Sequence, residues 1–163
     1  MNTIDTIQYS LNFSNNLVHG YLDDLSQDDW MVRPTDGANH ITWQVGHLLA
    51  SARGLAEPCF PGALPELPDG FKDKYTKESS ASDNLDDFHP KDELMGLYET
   101  QREALLKAVA GLSDDDLDKP VPKDWEMIAK TVGELCEFQA LHWLMHAGQW
   151  AIVRRKLGHP PLF

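Results

Sequence analysis

Apolar positions recur at helical spacing through most of the chain. From about Thr3 to Asp23, Ile4, Ile7, Leu11, Leu17 and Val18, with Tyr21, fall at steps of three, four and seven, which places one apolar stripe on a helix. Ser26-Gln27-Asp28-Asp29 reads as a cap opening a short helical turn, and Arg33-Pro34 ends it, because the residue before proline disfavours the helical region. A second helix is predicted from near Asn39 or Thr42 through Trp43, Val45, Leu48, Leu49 and Ala52, stopping before Pro58. Pro90 suits the first position of a third, since its missing N–H is not needed there, and Leu94, Leu97, Tyr98, Gln101, Leu105, Leu106 and Val109 form its face before Gly111 stops it. The last helix opens on Thr131-Val132-Gly133-Glu134, a capping box in which hydroxyl and carboxylate satisfy free N–H groups reciprocally. It is expected to run to Leu157, with Arg154, Arg155 and Lys156 at its negative end and Gly158 as its stop.

Four long helices with one long connection predict an all-α four-helix bundle, with residues 1–163 as one domain. The connection, Glu57 to His89, holds Pro58, Pro61, Pro65 and Pro68 and then a polar run from Thr76 to Asp87. It reads as a crossover with room for a turn of helix, and a loop of that length is either functional or mobile. Ser113-Asp114-Asp115-Asp116 repeats the earlier Ser-led acidic turn, so both halves run long helix, acidic turn, proline-containing segment, long helix.

Composition narrows the function. At 163 residues, 42% of them hydrophobic, the chain is long enough to bury about two-thirds of its unfolded surface. Against 14 Lys and Arg stand 26 Asp and Glu, a formal charge of −12 that repels phosphate backbones and anionic headgroups, so neither nucleic acid nor a membrane surface is an expected partner. The charge-free runs Gly37 to Ala52 and Phe138 to Val153 contain His, Gln and Gly and are too short to read as membrane spans. Met1 to Asp24 lacks the basic start and apolar middle of an export signal, and Cys59 and Cys136 show no Cys-x-x-Cys spacing. A reducing cytoplasm is the expected compartment.

Those two charge-free runs carry the candidate chemistry. His142 and His146 stand four apart on the last helix, on one face with β-carbons about 6 Å apart, which is metal-ligand spacing. Apolar neighbours penalise protonation and favour neutral imidazole, the ligating form. His47 lies in the other run, so three such histidines suggest one site; each taken alone reads equally well as a core histidine bonded to a backbone carbonyl. His19, His40, His89 and His159 lie beside turn, cap or terminal signals and are expected in solvent. The chain contains no Glu-x-x-His, His-Glu-x-x-His, Gly-x-Ser-x-Gly, Gly-x-x-x-x-Gly-Lys or Gly-x-Gly-x-x-Gly. Cys136 reads as a buried structural thiol, Trp43 as core or as a pocket wall one turn from His47, and Gln44 and Gln149 as residues able to orient a ligand or a substrate.

The run Asn39-His40-Ile41-Thr42-Trp43-Gln44-Val45-Gly46-His47-Leu48, followed some ninety residues later by His142-Trp143-Leu144-Met145-His146-Ala147-Gly148-Gln149, resembles the DinB/YfiT-like family of metalloenzymes. The order of elements is similar over nearly the whole chain, and the His-x-Gly-Gln ending is the most specific piece. The resemblance implies a four-helix bundle in which His47, His142 and His146 hold a divalent metal such as nickel or zinc. Many relatives carry a further His where this chain has Met145. That position points about 100° away from the next, so the triad does not depend on it. The family includes small-thiol-dependent transferases and isomerases as well as members without an assigned activity.

Three histidines leave coordination positions open, which suits a catalytic metal, and imidazole donors favour zinc, nickel, iron or copper over magnesium or calcium. The expected enzyme is an S-transferase that uses a low-molecular-weight thiol against a small electrophile beneath the Glu57 to His89 segment. A metal-dependent hydrolase differs from it only in the nucleophile. The rival of another class is a non-catalytic binding module, and in either case the apolar surplus of the last helix points to a homodimer.

Overall fold

The computed structural model describes residues 2–162. Five helices form: α1 (Thr3–Leu22), α2 (Ile41–Ala56), α3 (Lys91–Ala110), the single-turn α4 (Asp114–Leu117) and α5 (Val132–Lys156). The described residues contain no β-strand, only an isolated bridge between Pro120 and Thr131. The four long helices are those the apolar periodicity predicts, and they form the expected bundle. At 25 residues α5 is about 38 Å long, and its sides pack against α1 and α2.

Side-chain bonds between helices fix their directions. Ser10 meets Glu137 and Tyr21 meets Arg154, so α1 and α5 run parallel. Asn15 meets Tyr98 and Asn12 meets Arg102, which makes α3 antiparallel to α1. Gln44 meets Trp150 and Ala52 meets Gln139, which makes α2 antiparallel to α5. The order is therefore up, down, down, up. A chain leaving the bottom of α2 must return to the top before α3 can descend, and this is the physical reason for the long crossover.

The crossover climbs back along α2. Arg53 donates to Pro65 O, the Tyr75 ring lies against Gly46, Trp43 Nε1 donates to Thr76 O at 3.0 Å, and His40 meets Ser82 O at 3.2 Å. Three short 3₁₀ turns, Phe71–Tyr75, Ser79–Ala81 and Leu85–Asp87, replace the single turn of helix for which the sequence leaves room. Phe71, Tyr75 and Phe88 are buried in the core, so this part of the segment is a packed layer. A Cβ on Gly46 would come within 2.0–2.3 Å of the Tyr75 ring, which is why a glycine interrupts α2 beside His47.

Arg33 clamps the same layer. Its guanidinium donates to Ala38 O, Ser80 O, Ser82 O and Asp83 Oδ1 at 2.7–3.0 Å. The two Ser-led acidic turns are built alike: Asp29 and Asp116 each accept from the backbone and hydroxyl of the serine three residues earlier. The end of α3 at Gly111 also agrees with the sequence. The Thr131 box departs from the simple pattern. Thr131 Oγ1 accepts from Glu134 N, but Glu134 accepts from Lys130 N, one residue before the cap.

His40 corrects the expectation of a solvent-exposed histidine: it is fully buried. Its Nδ1 accepts from Trp43 N at 3.1 Å and caps α2, which leaves Nε2–H to donate to Ser82 O. His89 is also largely covered, with Nδ1 2.8 Å from the Tyr75 hydroxyl, while His19 and His159 are partly exposed beside carboxylates. Burial, with Arg33 nearby, holds the His40 pKa down at about 4 against an ordinary 6.5. The unfolded chain takes up a proton near pH 6.5 that the folded chain refuses, so this stability is present above pH 6.5 and lost as pH falls towards 4. His40→Asn retains a cap but loses the titrating ring. Thermal melts should show a loss of about 1–3 kcal/mol at pH 7 and a shallower decline between pH 6.5 and 4 than in wild type.

Candidate metal centre

Three helical positions bring His47, His142 and His146 together. One ring nitrogen of each lies within 4.8 Å of the other two, and the ring centroids are 5.2–5.7 Å apart. His142 and His146 face the same way because they stand one turn apart on α5, and His47 meets them from antiparallel α2. All three are half-buried, which leaves the cluster accessible. His40, two turns before His47, is not part of it.

Each ring is held in place. Trp43 stacks on His47 with centroids 4.9 Å apart and planes within 5°, and the indole is itself fixed by Thr76 O and Ser79 Oγ on the crossover. Phe138, one turn before His142, stacks on that ring at 5.3 Å. His146 Nδ1–H donates to Gln44 Oε1 at 2.8 Å, which sets its tautomer and leaves Nε2 free. The same Gln44 oxygen accepts from Trp150 Nε1 at 3.0 Å, while its amide nitrogen donates to Asn39 O and to Gln149 Oε1. Gln44 therefore orients a histidine of the cluster and Gln149 supports Gln44. Trp43 is the wall of His47 rather than only core.

Burial lowers all three imidazole pKa values, and the rings depress one another further at His142 and His146, which are both brought to about 4. Near neutral pH the centre is three uncharged donors with no carboxylate among them, a set that could hold a metal ion. Cys136 takes no part: it is buried in the apolar layer towards the start of α5, and burial pushes its thiol up to about 12. Both cysteines are free thiols.

Residues 11–150 match the DinB superfamily, a span that runs from α1 to Trp150 and includes all three histidines. The chain belongs to the DinB superfamily. No match is found among curated proteins. In this DinB protein the sequence did not signal the stacking of Phe138 on His142 or the Tyr75–His89 pair. The helical spacing of Phe138 and His142 was the available clue to the first; the second joins separate segments and had none. No helix of the described residues is long and apolar enough to cross a membrane.

Replacing Gln44 by Met keeps the length of the side chain but leaves His146 Nδ1–H and Trp150 Nε1–H without their acceptor. Unfolding by denaturant should show about 1–3 kcal/mol lost for each orphaned donor, with Trp150 fluorescence shifted in the folded state.

Proposed function

We propose that this protein is a divalent-metal-dependent enzyme whose ion is held by His47, His142 and His146, with zinc or nickel as the first choice and iron as the next. The observation that carries the reading is the convergence of three neutral imidazoles, one of them fixed in tautomer by Gln44, on a partly open face. An all-imidazole set fits these metals better than magnesium or calcium, and three protein donors leave room for a reacting molecule. A cation in such a set would supply a Lewis acid that eases proton loss from a thiol or a water.

The chain's own residues do the rest. Gln44 keeps His146 from turning its protonated nitrogen inward, and Trp43 and Phe138 hold the other two ring planes. The proposed reaction is attack of a low-molecular-weight thiolate on a small electrophile: the sulfur forms a new bond to the electrophilic atom, the electrophile's leaving group departs with the bonding pair, and the thiol proton goes to that group or to solvent. A hydrolase would use the same groups with water in place of the thiol. The membership of the DinB superfamily and the donor set support the metalloenzyme; the choice of thiol rests on the resemblance alone.

Elemental analysis of untagged protein should find about one zinc or nickel per chain after incubation and dialysis, and roughly 100-fold weaker retention in His142→Ala and His146→Ala with unchanged helical circular dichroism. Turnover assays with paired thiols and electrophiles, run beside ester and amide hydrolysis, separate the two reactions. Absence of near-stoichiometric metal in correctly folded wild type overturns the proposal.

A further inference from the structure

A cleft opens along α2 one turn beyond the histidine cluster. Ala50 and Gly54 stand three and seven residues after His47 on the same strip of the helix, and with Leu67, Pro68 and Phe71 of the crossover they line a space of about 300 Å³. Gly54 is exposed, and a Cβ built on it meets nothing within 4 Å, so no close approach of the chain requires this glycine as the Tyr75 ring requires Gly46. Its missing side chain leaves the floor of the cleft open.

We propose that this cleft receives the body of the electrophile, and that it takes uncharged, largely apolar molecules and turns away anionic ones. Its role as a substrate pocket rests on the metalloenzyme reading above; its binding preference does not. A molecule seated on Ala50 and Gly54 has its near end about 5 Å along the helix axis from the level of His47, so the reacting group can reach the cluster while the rest of the molecule stays under the crossover. The size of the cleft and its apolar walls suit a small organic ligand.

Charge sets the preference. On the cluster side, Gly37 to Ala52 and Phe138 to Val153 contain no charged residue that could hold a carboxylate or a phosphate. Around the cleft stand two cations, Arg53 and Lys72, and three anions, Glu66, Asp69 and Asp73. The Arg53 guanidinium is already engaged: it pairs with Glu57 and Glu66 and donates from Nε to Pro65 O at 3.2 Å. That leaves the exposed Lys72 against Asp69 and Asp73. An anion entering here meets an acidic surplus, to which the net charge of −12 adds, whereas Leu67, Pro68 and Phe71 offer apolar contact to a neutral molecule.

Naphthol and naphthoate, alike in shape but neutral and anionic respectively near neutral pH, test this when titrated into the zinc-free full chain and followed by backbone amide chemical shifts. Naphthol should move the amides of Ala50, Gly54 and Gly70 and bind about tenfold more tightly than naphthoate. Glu66→Gln, which frees Arg53 from one of its two carboxylates, should narrow that gap. Gly54→Leu, which has open space for its side chain, should abolish the naphthol shifts with wild-type circular dichroism and zinc retention. In zinc-loaded protein the same variant should raise the KM for nitrobenzyl chloride about tenfold. A chain that binds naphthol here yet retains no zinc overturns the metalloenzyme reading and leaves the binding preference standing. Naphthol shifts that fall elsewhere, naphthoate bound as tightly as naphthol, or naphthol binding indifferent to Gly54→Leu would each overturn the proposal itself.

Discussion

A single buried carboxamide joins the two helices that carry the histidines. Gln44 is fully buried, and its amide has two acceptor and two donor sites to satisfy. His146 Nδ1–H and Trp150 Nε1–H fill the first pair, and Asn39 O and Gln149 Oε1 the second. Sliding α2 against α5 by one turn would strand these groups in the core, where an unmade bond costs more than a made one gains. The register of the two helices, and with it the meeting of His47 with His142 and His146, follows from that constraint.

Topology supplies the second constraint. Because α2 and α3 point the same way, the chain between them must travel the length of the bundle, and it does so over the outside of α2. It then works as a brace: Tyr75 fills the notch at Gly46, Thr76 and Ser79 hold the Trp43 indole, and Trp43 in turn stacks on His47. The orientation of His47 is thus set by residues some thirty positions away in sequence. The placement of the proline-rich segment beside the cluster is a consequence of connectivity as much as of chemistry.

Much of this is legible in the sequence. The four long helices, their ends at Pro90 and Gly111, and the pairing of His142 with His146 are local patterns, and local patterns survive folding when packing agrees with them. The apolar setting of His47 pointed to the same cluster, and Gln44 and Gln149 were visible as polar residues in apolar runs. What could not be read depends on contacts distant in sequence. His40 looks like a surface cap residue, yet Phe88 and Ser82 from the far end of the crossover cover it. The crossover reads as a loop that is functional or mobile because Arg33, which ties it down at Ser80, Ser82 and Asp83, lies about fifty residues earlier. Glu134 follows the capping-box spelling but reaches Lys130 N instead of the cap.

The demands on α5 explain its composition. A helix with one buried face carries a single apolar stripe and a polar remainder. α5 instead packs Ala140, Ala147 and Val153 into the bundle, turns His142 and His146 towards α2, and presents Leu141, Met145 and Ile152 outward. Its charges are confined to the ends, acidic at the start and basic at the finish, where they oppose the helix dipole favourably. One arrangement of charge thus stabilises the helix at both ends and leaves its middle free of charge, where the buried small residues Ala140 and Ala147 sit in the bundle on either side of the histidine-bearing turn.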